Sequence, residues 1–289
     1  MDFAVIVFVE MLRAVAWLVL LAGGLSIIFG MMRVINIAHG EFLMLGGYTV
    51  VISSQQGVPL WIGILILAPI VVGLFGILVE RLIIQWLYGR MIDSLLATWG
   101  LSLLMIGGIT MIFGNTTEGV SAPLGAIGVG ETYSIAVYNF VIIGCAALFL
   151  VGIYAVLKYT RWGLIARSVM QNPGMAQALG VNATFVYMAT FGLGSALTGL
   201  AGGLLAPLTG VVPSMGVNFI GQAFITVVTG GAAVVAGTLS SAAALGTISQ
   251  AVTFGAGPVY GDAALLVAAL ILLRILPQGI TGRIFTRSI

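Results

Sequence analysis

Three residues near the start of the chain have side chains able to do chemistry. They are Asn36, His39 and Glu41, in the stretch MMRVINIAHGEFLMLGGYTV, residues 31–50. His39 is the single histidine of the protein. An amide, an imidazole and a carboxylate set this close together offer donors, acceptors and a titratable proton. They can hold a small polar solute, relay a proton, or tie one helix to its neighbours. The surrounding residues are apolar, and an ionisable group at the centre of a membrane helix costs about 2.5–3.5 kcal/mol on insertion scales. Such groups therefore face a protein interior or water. With Arg33 at a membrane edge, Glu41 lies about 12 Å deeper at 1.5 Å per residue. Gly40 and the Gly46–Gly47 pair mark a place for the helix to break, and a broken helix beside a cavity offers free backbone groups. Two readings of the three residues stand. In one they line a solute path, Glu41 accepting from an amide or ammonium group. In the other they form a structural network in which Glu41 pairs with an arginine elsewhere.

The elements that position these residues follow from composition. Of 289 residues, 61% are hydrophobic and 6% charged, against roughly 25% charged in a soluble domain. Such a surface faces lipid. The apolar runs are long and do not alternate, so they read as helices of about 20 residues. Segments near 12–31, 36–54, 59–79, 94–113, 137–157, 183–206, 219–235, 238–254 and 263–277 qualify. The expected fold is an all-α, polytopic integral membrane bundle of eight to ten transmembrane helices, one or more of them broken. No polar linker divides it, so residues 1–289 read as one transmembrane domain. The opening MDFAVIVFVEMLRAVAWLVLLAGG lacks a basic start and carries Asp2 and Glu10, which argues for a retained first span over a cleaved leader. Cys145 has no second cysteine to pair with.

The charges orient the bundle. Arg81 with Arg90, Lys158 with Arg161 and Arg167, and Arg274 with Arg283 and Arg287 form three basic clusters. Glu118, Glu131 and Asp262 fall in the loops between them. Basic residues concentrate on the cytoplasmic side, which puts the clusters and the C-terminus inside and the N-terminus outside. The stretch GNTTEGVSAPLGAIGVGETYS, residues 114–134, becomes the longest external segment and reads as a packed surface loop.

Two further patterns have helical spacing. Asn218, Gln222, Thr226 and Thr229 share one face and either line a path or hydrogen-bond across helices. Ser195, Gly199 and Gly203, four apart, read as a seam of close helix packing, as do Ala242 and Gly246. Other chemistries lack their parts. The one lysine, Lys158, has no glycine-rich loop ahead of it, so no ATP-binding P-loop exists. One His and one Cys make a zinc centre or other metal site unexpected, and no G-x-S-x-G turn accompanies His39.

The least lipid-like internal stretch is 158–182, KYTRWGLIARSVMQNPGMAQALGVN. Asn172 suits a helix cap, Pro173 the first helical position and Gly180 the left-handed residue after the end. The PGMAQAL segment then makes about two turns, and Asn182 caps the next span. Met175, Ala178 and Leu179 share a face, suited to a groove on another protein or to the bundle's own surface.

The stretches INIAHGEFLMLGGYTV, TRWGLIARSVMQNPGMAQALGVN, FGLGSALTGLAGGLLAPLTG, VVTGGAAVVAGTL and LPQGITG, in that order, resemble the permease subunits of ABC importers of the branched-chain amino acid family. NTTEGVSAP and QNPGMAQALGV lean toward its urea and short-amide branch. GGAAVVAG, residues 230–237, departs from the GGLGS-PG form usual there, and so lacks the Gly and Pro expected to bend the chain. The resemblance implies an inner-membrane subunit with no catalysis of its own. Its partners would be a second permease (identical or related), two cytoplasmic ATPases holding ATP and Mg, and a periplasmic substrate-binding protein. It implies that Arg167, Gln171, Asn172, Pro173, Met175, Ala176, Ala178, Leu179 and Gly180 belong to a cytoplasmic coupling loop touching an ATPase. The rival is a stand-alone carrier or channel with Glu41 and His39 as a proton relay, which calls for more intramembrane carboxylates than this chain has.

Overall fold

A computed structural model describes residues 2–130, 133–231 and 233–285. Of the residues used to orient the chain, Glu131 and Arg287 lie outside these, as does the side chain of Arg283. The helices are α1 (Asp2–Met32), α2 (His39–Gln55), α3 (Leu60–Ile62), α4 (Ala68–Leu82), α5 (Met91–Phe113), α6 (Val137–Tyr159) and α7 (Arg161–Gln171). They continue as α8 (Pro173–Ala178), α9 (Ala183–Thr209), α10 (Met215–Gly230), α11 (Val234–Ala256), α12 (Pro258–Ile275) and α13 (Gly279–Phe285). A short hairpin, β1 (Ala126–Val129) and β2 (Tyr133–Ala136), pairs Ala126 with Ala136 and Val129 with Tyr133. Its first strand lies in the segment expected to be a packed surface loop, and its second runs just past the end of that segment.

Among the described residues six helices are long and apolar enough to cross a bilayer, or seven if the α10–α11 pair counts as one span. The eight to ten expected is therefore too many. Two local causes account for the difference. The 36–54 segment becomes the 17-residue α2, about 25 Å at 1.5 Å per residue and short of a 30 Å hydrocarbon core. The two segments between 219 and 254 become a single pair bent by 115°. That bend forms without the Gly and Pro of the family pattern: Gly231 adopts φ +84°, a region closed to most side chains. Gly230 also lies so near Gly237 that a Cβ on it would stand 2.6 Å from the Gly237 carbonyl oxygen.

The chain forms two compact units, residues 1–23, 122–153 and 222–289, and residues 24–121 and 154–221. In the first, the Thr281 hydroxyl donates to the Gly230 carbonyl at 2.6 Å and lies 3.4 Å from the Ala233 N–H, so α13 latches the break between α10 and α11. Glu10, inside α1, accepts from Arg13 at 2.6 Å and from Asn139 of α6 at 2.8 Å, which satisfies a carboxylate in an apolar helix.

The second unit is built on α9. Gly194 and Thr198 meet α1 at Gly24, Ser195 meets Gly76 of α4, Gly202 meets Leu43 of α2, and Gly199 meets both Gly46 and Ala68. Without a hydrophobic drive between helices in lipid, close backbone approach supplies the packing. Ser195 donates its hydroxyl to Phe191 O at 2.7 Å and so behaves as a small residue. Between α3 and α4 a π-helical stretch, Gly63–Leu67, closes with Ala68 N–H bonded to Gly63 O. The wider turn makes room for Pro69, whose ring would otherwise press on the carbonyl four residues back.

Candidate functional site

The Asn–His–Glu motif sits where α1 gives way to α2. The helix breaks at 33–38, ahead of the glycines, with Arg33 at φ +52°. Gly40, Gly46 and Gly47 do not interrupt α2. They let it approach Gly216, Gly199 and Val211. The irregular segment is held from α5. The Thr98 hydroxyl accepts from Ile37 N–H at 3.1 Å, donates within its own helix to Ser94 O at 2.8 Å, and lies 3.2 Å from Ile35 O. Thr98 is completely buried and escaped the sequence reading, because its partners lie some sixty residues away. Thr98→Val keeps the shape and leaves Ile37 N–H without its acceptor. The expected loss is about 1–3 kcal/mol, read as a lowered melting temperature in detergent.

Asn36, His39 and Glu41 are all buried. Neither polar atom of the Asn36 amide has a hydrogen-bond partner among the described residues. One oxygen of Glu41, Oε2, is likewise unpartnered, while Ser102 of α5 hydrogen-bonds the carboxylate. No arginine or lysine of the described residues forms an ion pair with Glu41, so the arginine partner of the structural reading is absent from them. Glu41 instead lies in the first turn of α2, where the helix dipole favours negative charge. His39 Nδ1 stands 3.4 Å from the Thr198 hydroxyl, which also lies 2.8 Å from Gly194 O as a donor. With that hydroxyl hydrogen committed, the contact to Thr198 requires Nδ1–H on His39.

Depth follows from the partners. Ser102 is the middle residue of the 23-residue α5, and Thr198 is near the middle of α9. The start of α2 is therefore level with the centres of two long apolar helices. At their far ends, Glu118 exchanges backbone hydrogen bonds with Val211 at 2.9 and 2.6 Å, and its carboxylate accepts from Gln55 at 3.3 Å. The C-terminal ends of α2, α5 and α9 thus share one side. A helix that begins at mid-depth, with a carboxylate and an unpaired amide at its start, matches the broken-helix geometry found at solute sites in membrane carriers.

The second stripe divides. Thr226 and Thr229 are buried, and their hydroxyls donate to Gln222 O and Ile225 O at 2.7 Å. The Thr226 carbonyl accepts from Ser241 of α11 at 2.7 Å. Asn218 is exposed, and Gln222 reaches Asp262 at 3.3 Å. In the glycine seam, a Cβ at Gly199 would lie 2.6 Å from Ala68 O, and one at Gly203 would lie 3.1 Å from Val50 Cγ2. Gly246 is similarly close to Val15.

The 158–182 stretch is two helices rather than one. Asn172 caps α8 by accepting from Met175 N–H at 3.0 Å, Gly180 takes φ +87°, and Asn182 caps α9 by accepting from Phe185 N–H at 3.1 Å. The helix α7 escaped the sequence reading, although Thr160 announces it by accepting from Gly163 N–H. Arg167, Gln171, Asn172, Pro173, Ala178 and Gly180 are exposed. Met175 is 61% and Leu179 78% exposed, whereas Ala176 turns inward. Trp162 of α7 rests on Phe185 in the first turn of α9, centroids 6.0 Å apart. Tyr187, one half-turn on, packs on Tyr88 at 4.8 Å, and Tyr88 donates to the buried Glu80 of α4. Burial and that carboxylate hold the Tyr88 phenol well above its ordinary range, so it stays a donor.

A family model described as branched-chain amino acid transport system / permease component matches residues 7–276. The chain belongs to that permease family. This permease is 30% identical to the probable branched-chain amino acid transport permease protein LivH of Methanocaldococcus jannaschii, over 92% of its own length and 88% of the relative's. It is 28% identical to the high-affinity branched-chain amino acid transport system permease protein BraD of Pseudomonas aeruginosa, and 24% identical to the corresponding LivH of Escherichia coli, each over 91% of both chains. No solved structure matches this permease.

Proposed function

We propose that this permease is the membrane subunit of an ATP-driven importer for small polar solutes, and that the energy reaches it through α7 and α8. The observation carrying this reading is that Met175 and Leu179 stand exposed on a short capped helix outside the apolar spans while Ala176 anchors it. A surface of that kind fits a groove on a second protein. Movement there has a contact route inward, from Trp162 to the first turn of α9 and from Tyr187 through Tyr88 to α4. The partners are a second permease, identical or related, two cytoplasmic ATPases carrying ATP and Mg, and a periplasmic binding protein. The names of the relatives favour branched-chain amino acids as the solute, with urea and short amides as the competing class. Hydrolysis belongs to the ATPases, and this chain contributes no catalysis.

The same reading puts the chain in the bacterial inner membrane, N-terminus outside and C-terminus inside. It then needs the irregular segment 33–38 and α2 together to make one crossing, for which α2 alone is too short, and the bent α10–α11 pair to enter and leave from one side.

Leu179→Asp tests the proposal in the assembled transporter. The expected result is ATP hydrolysis without uptake, or loss of ATPase from the purified complex, with the permease still folded by size exclusion. Undiminished uptake per ATP removes α8 as the docking element. Binding of the periplasmic receptor to leucine, urea and acetamide, measured by calorimetry, assigns the solute class.

A further inference from the structure

We infer that the C-terminal end of α6 and the start of α7 form a binding site for the phosphodiester of an anionic phospholipid. The side chains are Tyr154, Lys158, Tyr159, Arg161 and Trp162. Lys158 Nζ donates to the Tyr154 hydroxyl at 2.6 Å and lies 5.0 Å from the Tyr154 ring centre and 5.5 Å from that of Tyr159. The two rings meet edge-on at 6.3 Å. A lysine otherwise carries much rotamer freedom, and here the Tyr154 hydroxyl and the Tyr159 ring hold its ammonium in place. The ammonium stays in solvent, Tyr159 is 73% exposed and Trp162 56%.

Charge complementarity chooses the occupant. The chain has no Asp or Glu between Glu131 and Asp262, and neither Lys158 nor Arg161 makes an ion pair among the described residues. Two cations are therefore displayed without a carboxylate. They stand at the end of α6, a 23-residue apolar span that the rest of the chain leaves mostly uncovered. Tyr and Trp at the headgroup level with basic residues beside them are what an anionic lipid surface attracts. An acidic groove on a soluble protein would satisfy the charge but not the aromatic rings set at the end of a lipid-facing helix. This inference does not rest on the solute or on docking at α8, although its site shares Trp162 of α7 with the coupling route proposed above.

The experiment is native mass spectrometry of the full chain, released from detergent micelles holding equal phosphatidylglycerol and phosphatidylcholine. Each cation near an anionic surface contributes about fivefold in affinity. Wild type should therefore retain phosphatidylglycerol at least about tenfold over phosphatidylcholine, and Lys158→Gln with Arg161→Gln should bring the two lipids to parity. Both positions are exposed, and an unchanged melting temperature of the double variant shows that it folds. Equal retention by wild type overturns the site, as does enrichment that survives the double substitution. Displacement of the lipid by millimolar inorganic phosphate would assign the cations to a soluble anion. Loss of enrichment when ATPase subunits are bound would assign them to a protein partner. Either result also overturns the proposal.

Discussion

Gly199→Leu leaves little folded permease. A Cβ at this position stands 2.6 Å from the Ala68 carbonyl oxygen and 2.7 Å from Val72 Cβ, and Gly46 of α2 approaches from another side. Two of these neighbours are backbone, which cannot rotate away. Overpacking a core typically costs about 1–3 kcal/mol when side chains can shift. Here α9 would have to part from α2 or α4, so the cost exceeds that range. The cost also falls on the helix around which the second unit is assembled. Fluorescence-detected size exclusion after heating measures it: Gly199→Ala lowers the melting midpoint by several degrees, and Gly199→Leu gives no monodisperse peak. A leucine variant that melts like wild type would show that the helices are not in backbone contact at this level.

Glu41→Gln separates the two roles left open for the carboxylate. Glutamine keeps the length, one oxygen for Ser102 and a donor in place of the unpartnered Oε2. A hydrogen bond to a charged group contributes about 1.5–3 kcal/mol, which corresponds to about ten- to a hundredfold in rate if it is made to solute in transit. The expected result is uptake lowered by at least about tenfold, with normal yield and melting temperature. Glu41→Leu leaves Ser102 without its acceptor and lowers both. If Glu41→Gln loses folded protein in the same proportion as uptake, the carboxylate serves structure and the path lies elsewhere. Asn36→Ala is the companion measurement, since both polar atoms of that amide lack partners among the described residues. It lowers uptake with little effect on melting.

Local rules written over a few residues were legible in the chain. Asn172, Pro173 and Gly180 delimit α8, and Asn182 starts α9, because a cap needs only a side-chain oxygen and an N–H three residues on. Apolar length located most spans within a few residues of their observed ends. The nine apolar segments nevertheless overcount the crossings, because hydropathy registers length and apolarity but neither a break nor a bend. The 36–54 run passes as a span until the break at 33–38 shortens it. The hairpin of β1 and β2 is four residues a side, and its short apolar runs are indistinguishable from loop without knowing their register.

The motif that opens the chain's chemistry shows the division most sharply. Sequence alone determined that Asn36, His39 and Glu41 must be enclosed by protein or water, since lipid charges too much for an exposed carboxylate. It also determined that the chain spans a membrane as helices. Only the tertiary structure decided that the break precedes the glycines, that Ser102 and Thr98 of α5 hold the segment, and that Glu41 stands level with the middle of α5. Those facts depend on contacts some sixty residues apart along the chain. No periodicity encodes such contacts, because α5 makes them through hydroxyl side chains to whichever segment the fold sets beside it.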